Sequence, residues 1–168
     1  MSNSTTKKVY LRRLDSSLIE GYISPQTFLR PEGVELIRRT AQAVLVPYRE
    51  IRAVYFVRDF EGVEELDEKK VFASRPKMDG LWVRLTFNDD EVYEGVIPND
   101  LTQLGEPGVT ITPPDAKGLT QKIFVPLRAL RECKVLGVIG GAARGRSARR
   151  KAPAAEQIRL FNEERASR

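Results

Sequence analysis

The chain has 168 residues, of which 41% are hydrophobic, 28 are basic and 23 are acidic, with one cysteine and no histidine. This composition supports a folded core but excludes an internal disulfide and a metal site built from cysteine and histidine. We expect a cytoplasmic protein, because there is neither an apolar run of about 18 residues nor the apolar stretch of a secretory signal.

The positive charge is concentrated near the C-terminus. Residues 140–168 contain eight basic and three acidic residues, which leaves 20 basic and 20 acidic residues of the totals of 28 and 23 for residues 1–139. A domain that binds nucleic acid through phosphates normally carries its own excess of basic residues. The neutral part of the chain is therefore a poor candidate for nucleic-acid binding.

The first half predicts five short strands, since apolar and β-branched residues alternate with turn residues. They are expected at 8–14, 18–24, 34–39, 43–46 and 51–57, with a 3₁₀ turn at 47–50. Asp15 begins the first turn because its short side chain can bond its own backbone. Gly21 lies inside the second strand and predicts a bulge or bend there.

The second half repeats this pattern, and its strands are expected at 81–87, 91–97, 109–112, 122–125 and 132–139. Glu20-Gly21 recurs as Glu94-Gly95, and Val46-Pro47 recurs as Val125-Pro126. A repeated five-strand unit predicts an all-β chain with two tandem small β-barrels of the SH3-like or Sm-like kind. We place the barrels at 8–62 and 80–139, a linker at 63–79, and a disordered basic tail with a short terminal helix at 140–168.

A segment after the first Val-Pro turn resembles a known type of domain. Residues 52–62, Arg-Ala-Val-Tyr-Phe-Val-Arg-Asp-Phe-Glu-Gly, are similar to uncharacterised bacterial domains of an Sm-like kind. The resemblance implies the barrel fold but no activity. The Asp and Asn residues with which Sm proteins hold RNA bases are not evident, because the loop before Val34 reads Arg30-Pro31-Glu32-Gly33.

Few residues suggest chemistry, and we expect no enzyme, no cofactor and no metal. Cys133 aligns with Val54 of the first half, which predicts a buried position rather than a nucleophile. Asp89, Asp90 and Glu91 could hold a divalent ion, but a solvated hairpin turn is the stronger interpretation. Trp82 and Tyr93 could stack on bases, although aromatic residues in strands more often pack in a core.

The tail is expected to be a flexible basic tether, because residues 140–153 contain no large apolar side chain. Its basic residues can attract phosphates without sequence preference. They are Arg144, Arg146, Arg149, Arg150 and Lys151.

Beyond the tether, the segment Gln157-Ile158-Arg159-Leu160-Phe161 is similar to the short peptide by which bacterial replication and repair proteins dock onto the DNA sliding clamp. The resemblance implies that Gln157, Ile158, Leu160 and Phe161 are partner-binding residues. The alternative is an amphipathic helix, since Ile158 and Phe161 share a helical face. Such a helix would dock on a barrel or bind another partner.

The resulting functional prediction is a non-catalytic adaptor, whose barrels bind one protein while the tail peptide binds another. The candidate for the partner of the tail peptide is the DNA sliding clamp. The alternative prediction is an Sm-like protein that binds RNA or single-stranded nucleic acid. No small-molecule substrate and no membrane are implied.

Overall fold

The computed structural model describes residues 6–67 and 69–140 of the chain. Each of the ten strands expected from the sequence is present, and the all-β prediction is confirmed. The strands are β1 Lys7–Arg13, β2 Leu18–Ile23, β3 Gly33–Arg38, β4 Ala43–Pro47, β5 Ile51–Val57, β6 Gly80–Phe87, β7 Val92–Ile97, β8 Gly108–Ile111, β9 Thr120–Pro126 and β10 Leu130–Ile139.

Short 3₁₀ turns connect some of these strands. They span Tyr48–Glu50, Val63–Asp67, Leu101–Gln103 and Leu127–Ala129. The first and last follow Pro47 and Pro126, as the repeated Val-Pro sequence predicts. Over the described ranges there is no helix of the length and apolarity that a membrane span requires. The predicted tail and terminal helix lie outside the described residues.

The two expected barrels are not closed. One sheet has seven strands in the order β4-β3-β2-β1-β5-β9-β8, and the other has three in the order β10-β6-β7. The physical reason is that β5 does not turn back to β4 but pairs antiparallel with β9 of the second half. A bridge between Val96 and Thr112 connects β7 to β8, so strand neighbours follow one another from β4 to β10.

The first hairpin turns of the two halves have the same local geometry. In the first hairpin, the Asp15 carboxylate accepts a hydrogen bond from the Ser17 backbone at 2.9 Å. In the second hairpin, Asp89 accepts one from Glu91 at 3.2 Å. Both turns therefore use the side-chain-to-backbone bond that the sequence predicts.

Strand β5 contributes to two hydrophobic cores at once. Val54 points into a core made mostly by the first half and completed by Phe124. Tyr55 points into a larger core that contains Leu85 and Tyr93 of the second half. Because neighbouring residues of a strand face opposite sides of the sheet, the single strand β5 connects both cores.

Two glycines let neighbouring strands approach closely. Of the bulge or bend predicted at Gly21, the bulge is absent from the β1–β2 pair, since the register runs without a shift from Lys7–Ile23 to Arg12–Leu18. A Cβ at Gly21 would instead lie 2.6 Å from the Ile37 carbonyl oxygen. At Gly95, a Cβ would lie 2.6 Å from the Cβ of Ile111. The Glu-Gly repeat thus marks positions where β2 and β7 contact the next strand.

We predict that Gly95→Ala lowers the free energy of unfolding by about 2 kcal/mol, because the added methyl group overpacks the core against Ile111. Gly137→Ala is the matched control, since a Cβ at Gly137 meets no atom within 4 Å. The control should change stability by less than about 0.5 kcal/mol. Urea unfolding of both variants provides the measurement, and equal losses would contradict the close-approach argument.

Candidate binding surfaces

A cluster of charged side chains connects the two halves around Arg52. This residue follows the 3₁₀ turn before β5 and is buried. Its guanidinium donates to Asp89 and Glu91 in the β6–β7 turn and lies 4.4 Å from the Phe87 ring centroid. Lys70 donates to the other oxygen of Glu91. A buried guanidinium needs such partners, because an unpaired buried charge is strongly unfavourable.

The protonation of this cluster follows its geometry. Burial alone would lower the pKa of Arg52, but its hydrogen bond and charge interactions with Asp89 and Glu91 raise it overall. The hydrogen bond from Arg52 in turn holds the pKa of Asp89 below its usual range. Both groups are therefore charged at neutral pH, so the cluster acts as a fixed ionic contact rather than as an acid or base.

A second cluster surrounds Glu94 on β7, whose carboxylate is buried. One oxygen accepts hydrogen bonds from Nε and Nη2 of Arg84 at 3.1 and 2.7 Å. The other oxygen accepts from the Phe72 backbone at 3.1 Å and from the Trp82 indole at 3.2 Å. Glu94 therefore holds the segment between the halves against the three-stranded sheet.

A small cavity lies between these clusters and the β8–β9 loop. Its volume is about 40 Å³, and its walls include Lys69, Lys70, Tyr93 and Thr120. A cavity of this size admits a water molecule but no organic substrate. The hydroxyl of Thr120, one of the residues that line the cavity, is buried and has no hydrogen-bond partner among the described residues.

A shallow groove of about 410 Å³ lies where β5 meets β9. Its residues are Lys7, Pro25, Phe56, Gln121 and Lys122. Phe56 is half-buried and stands opposite Lys122 in the strand register. An aromatic ring and a proline beside two lysines form a surface suited to an acidic or amphipathic peptide.

The structure assigns structural roles to several residues considered above. Tyr93 is buried, and its hydroxyl lies 3.1 Å from that of Tyr55, so it is unavailable for base stacking. Trp82 is half-buried against Phe72, with ring centroids 6.3 Å apart. Asp89 is part of a turn, and over residues 6–67 and 69–140 no group of three or more His, Cys, Asp or Glu side chains is placed to hold a metal ion.

The prediction for Cys133 is wrong, because this residue is exposed on β10. Its counterpart Val54 is fully buried, since β5 has a neighbouring strand on each side. Strand β10 pairs only with β6 within the described part of the chain. Partial desolvation, with a smaller effect of Glu132, raises the pKa of the Cys133 thiol.

The site residues predicted in the tail all lie outside the described residues. The proposed partner-binding residues are Gln157, Ile158, Leu160 and Phe161, and the proposed phosphate-attracting residues are Arg144, Arg146, Arg149, Arg150 and Lys151. Sequence reasoning missed the roles of Arg52, Glu94 and the groove. The sequence did contain one signal for Glu94, the repeated Glu-Gly pair, because the glycine of each pair marks a position where two strands approach closely.

The sequence match to a known family extends over both halves, from residue 5 to residue 137. The chain belongs to the DUF6982 family, a family of unknown function. The DUF6982 match thus includes the Arg52 and Glu94 clusters and the groove, and it ends before the tail. No curated protein and no solved structure matches the chain.

We predict that Glu94→Ala lowers the free energy of unfolding by about 3 kcal/mol, because it removes a buried ionic partner and leaves donors unpaired. Glu20→Ala is the matched control at the equivalent position of the first half. The ion pair between Glu20 and Arg39 is exposed, so its loss should cost less than about 1 kcal/mol.

Chemical denaturation measures both variants. Trp82 is the only tryptophan and provides a local signal, since its indole donates to Glu94. The native fluorescence should therefore change in Glu94→Ala and stay constant in Glu20→Ala. A similar stability loss in both variants would show that burial of Glu94 has no special effect.

Proposed function

We propose that this DUF6982 protein is a non-catalytic adaptor, whose folded body binds one protein and whose tail peptide binds another. The main support is that residues 1–139 have no net charge and that part of the positive charge of the body is paired internally. Nine basic side chains of the described residues form ion pairs with carboxylates: Lys8, Arg13, Arg30, Arg39, Arg52, Lys69, Lys70, Arg84 and Arg131. Such side chains would have to give up these partners to contact phosphates.

The groove at the β5–β9 junction is the proposed site for the first partner. Its backbone belongs to paired strands of both halves, which keeps the surface rigid. Phe56 provides an apolar contact, and Lys7 and Lys122 provide positive charge at its rim. We assign to it a peptide segment with an apolar side chain and nearby carboxylates.

The segment Gln157–Phe161 is the proposed site for the second partner, and the DNA sliding clamp is the candidate. The supporting feature is the motif itself, in which Leu160 and Phe161 would fill an apolar pocket while the Gln157 amide bonds backbone at its rim. The position of the motif behind a basic, apolar-poor segment supports a tethered peptide. In this proposal the two halves are Sm-like small-barrel units that share strands, and the protein acts in the cytoplasm.

The alternative function is binding of RNA or single-stranded nucleic acid. The supporting feature is the basic tail, whose Arg149, Arg150 and Lys151 follow one another directly. In the adaptor proposal these residues supply a weak attraction to phosphates near the clamp. In the alternative they assist a body that itself contacts the bases.

We predict that the full chain binds purified sliding clamp with micromolar affinity, and that changing Leu160 and Phe161 to Ala weakens binding by roughly tenfold or more. Isothermal titration calorimetry provides the measurement, and Asn162→Ala is the control just outside the motif. Gln157→Ala separates the two interpretations of the tail, because a clamp peptide needs the amide and an amphipathic helix does not. Absence of binding by the unchanged chain would reject the clamp as partner.

We predict that a single-stranded RNA or DNA oligonucleotide binds weakly and through the tail. Changing Arg149, Arg150 and Lys151 to Gln should reduce the slope of log K against log salt by about 2, as expected for three lost phosphate contacts. Fluorescence anisotropy at several salt concentrations measures this slope. Changing Lys7 and Lys122 to Gln is the control in the body, and a larger effect of the control would favour the nucleic-acid alternative.

A further inference from the structure

Two strands of the described chain have an unpaired edge. The strand order runs from β4 to β10, and each of these two strands has only one neighbour among the described residues, β3 for β4 and β6 for β10. An unpaired strand exposes a row of backbone donors and acceptors that can bond another strand. These edges are therefore candidate interaction surfaces.

The two edge strands, β4 and β10, are the repeat equivalents of β9 and β5, which pair with each other inside the chain. Strand β4 matches β9, since Val34–Val46 and Val109–Val125 are equivalent pairs in the β3–β4 and β8–β9 registers. Strand β10 likewise matches β5, as shown by the equivalent pairs of the β1–β5 and β6–β10 registers. Those pairs are Leu11–Val54 with Leu85–Cys133, and Tyr10–Tyr55 with Arg84–Lys134.

The internal pairing of β5 with β9 thus provides a template for pairing β10 with β4. In the internal register, Val54 lies opposite Phe124. Transferred to the open edges, this places Cys133 opposite Leu45. The same transfer places Lys134 opposite Val44.

Side chains at the open edges are exposed at positions whose equivalents in the β5–β9 junction are buried. Leu45 is 44% exposed, whereas its counterpart Phe124 is 1% exposed. On β10, Val135 and Val138 are 48% and 55% exposed. Pairing of β10 with β4 would bury apolar side chains and give hydrogen-bond partners to backbone groups of both edges, although the Val138 carbonyl of β10 already accepts a hydrogen bond from Arg75 at 2.8 Å.

We propose that β10 of one chain pairs antiparallel with β4 of a second copy, so that copies assemble head to tail. Within the described residues, β4 and β10 of one chain do not pair with each other, so each edge can take a strand of a different copy. Such a heterologous contact repeats from copy to copy, and it gives a ring if the rotation between copies closes or an open filament if it does not. The partner is therefore another copy of this protein.

The open edges are more polar than the internal junction. On β10 the exposed Lys134 stands at the position that the buried Tyr55 occupies on β5. A lysine on an edge strand weakens pairing. The assembly is consequently expected to be reversible and dependent on protein concentration.

The test uses the only cysteine of the chain. Unchanged protein, which carries Cys133, is mixed with a Leu45→Cys/Cys133→Ser variant and oxidised mildly at about pH 9, because desolvation raises the pKa of the Cys133 thiol and the thiolate is the reactive form. Directly opposed residues of an antiparallel pair lie about 4.5–5.5 Å apart between Cα atoms, which suits a disulfide. We expect a disulfide-linked heterodimer in the mixture and none in either protein alone.

An Ile37→Cys/Cys133→Ser variant is the matched control. The exposed fraction of Ile37, 42%, is similar to the 44% of Leu45. Ile37 lies on β3, however, and β4 separates β3 from the open edge. Cross-linking at Leu45 should exceed cross-linking at Ile37 by roughly tenfold or more, because pairing raises the effective concentration of the two thiols. Equal yields, or no product at either position, would overturn the proposal.

Two further outcomes are decisive. Leu45→Cys on a chain that retains Cys133 should give a ladder of disulfide-linked multimers, since every copy then has a reactive group at both ends. A product limited to dimers through Cys133 alone would instead show a symmetric β10–β10 contact. Sedimentation of the unchanged protein should show masses that grow with concentration, and a monomer at all concentrations would contradict head-to-tail assembly.

Discussion

Burial of β5 on both faces is the constraint on which the fold depends. The apolar run from Val54 to Val57 places alternate side chains in two different cores, and such a strand is stable only when both of its edges and both of its faces are covered. Strands β1 and β9 cover the edges. The second half therefore completes the first, and the two halves cannot be understood as independent barrels.

The ionic clusters follow from this arrangement. Arg52 enters the region between the halves, where its charge requires Asp89 and Glu91, and Glu94 holds the connecting segment through Phe72 and Trp82. Buried ion pairs contribute little net stability compared with apolar packing, but they penalise arrangements that leave them unpaired. They thus favour one relative placement of the halves.

The sequence predicted the local structure well, because strands, hairpin turns and the Val-Pro turns depend on nearby residues and occur twice. It did not predict which strands meet across the halves. Val54 and Cys133 occupy the same position in equivalent strands, yet one is buried and the other exposed. Their burial differs because β5 has β9 as a second neighbour, a strand that is distant in sequence, whereas β10 has no second neighbour among the described residues. The same holds for Glu20 and Glu94, whose burial differs although both precede a glycine in equivalent strands.

The proposed head-to-tail assembly and the proposed tail peptide together have a consequence for binding strength. In a head-to-tail assembly, each copy would present its own Gln157–Phe161 segment, so one assembly would offer several equivalent peptides. Weak contacts that act together bind far more tightly than one contact alone, provided that the tethers reach the partner's sites. The same kind of strand pairing would then act twice, within a chain to join the two halves and between chains to join the copies. The number of joined copies would set the number of peptides offered to a partner with several sites.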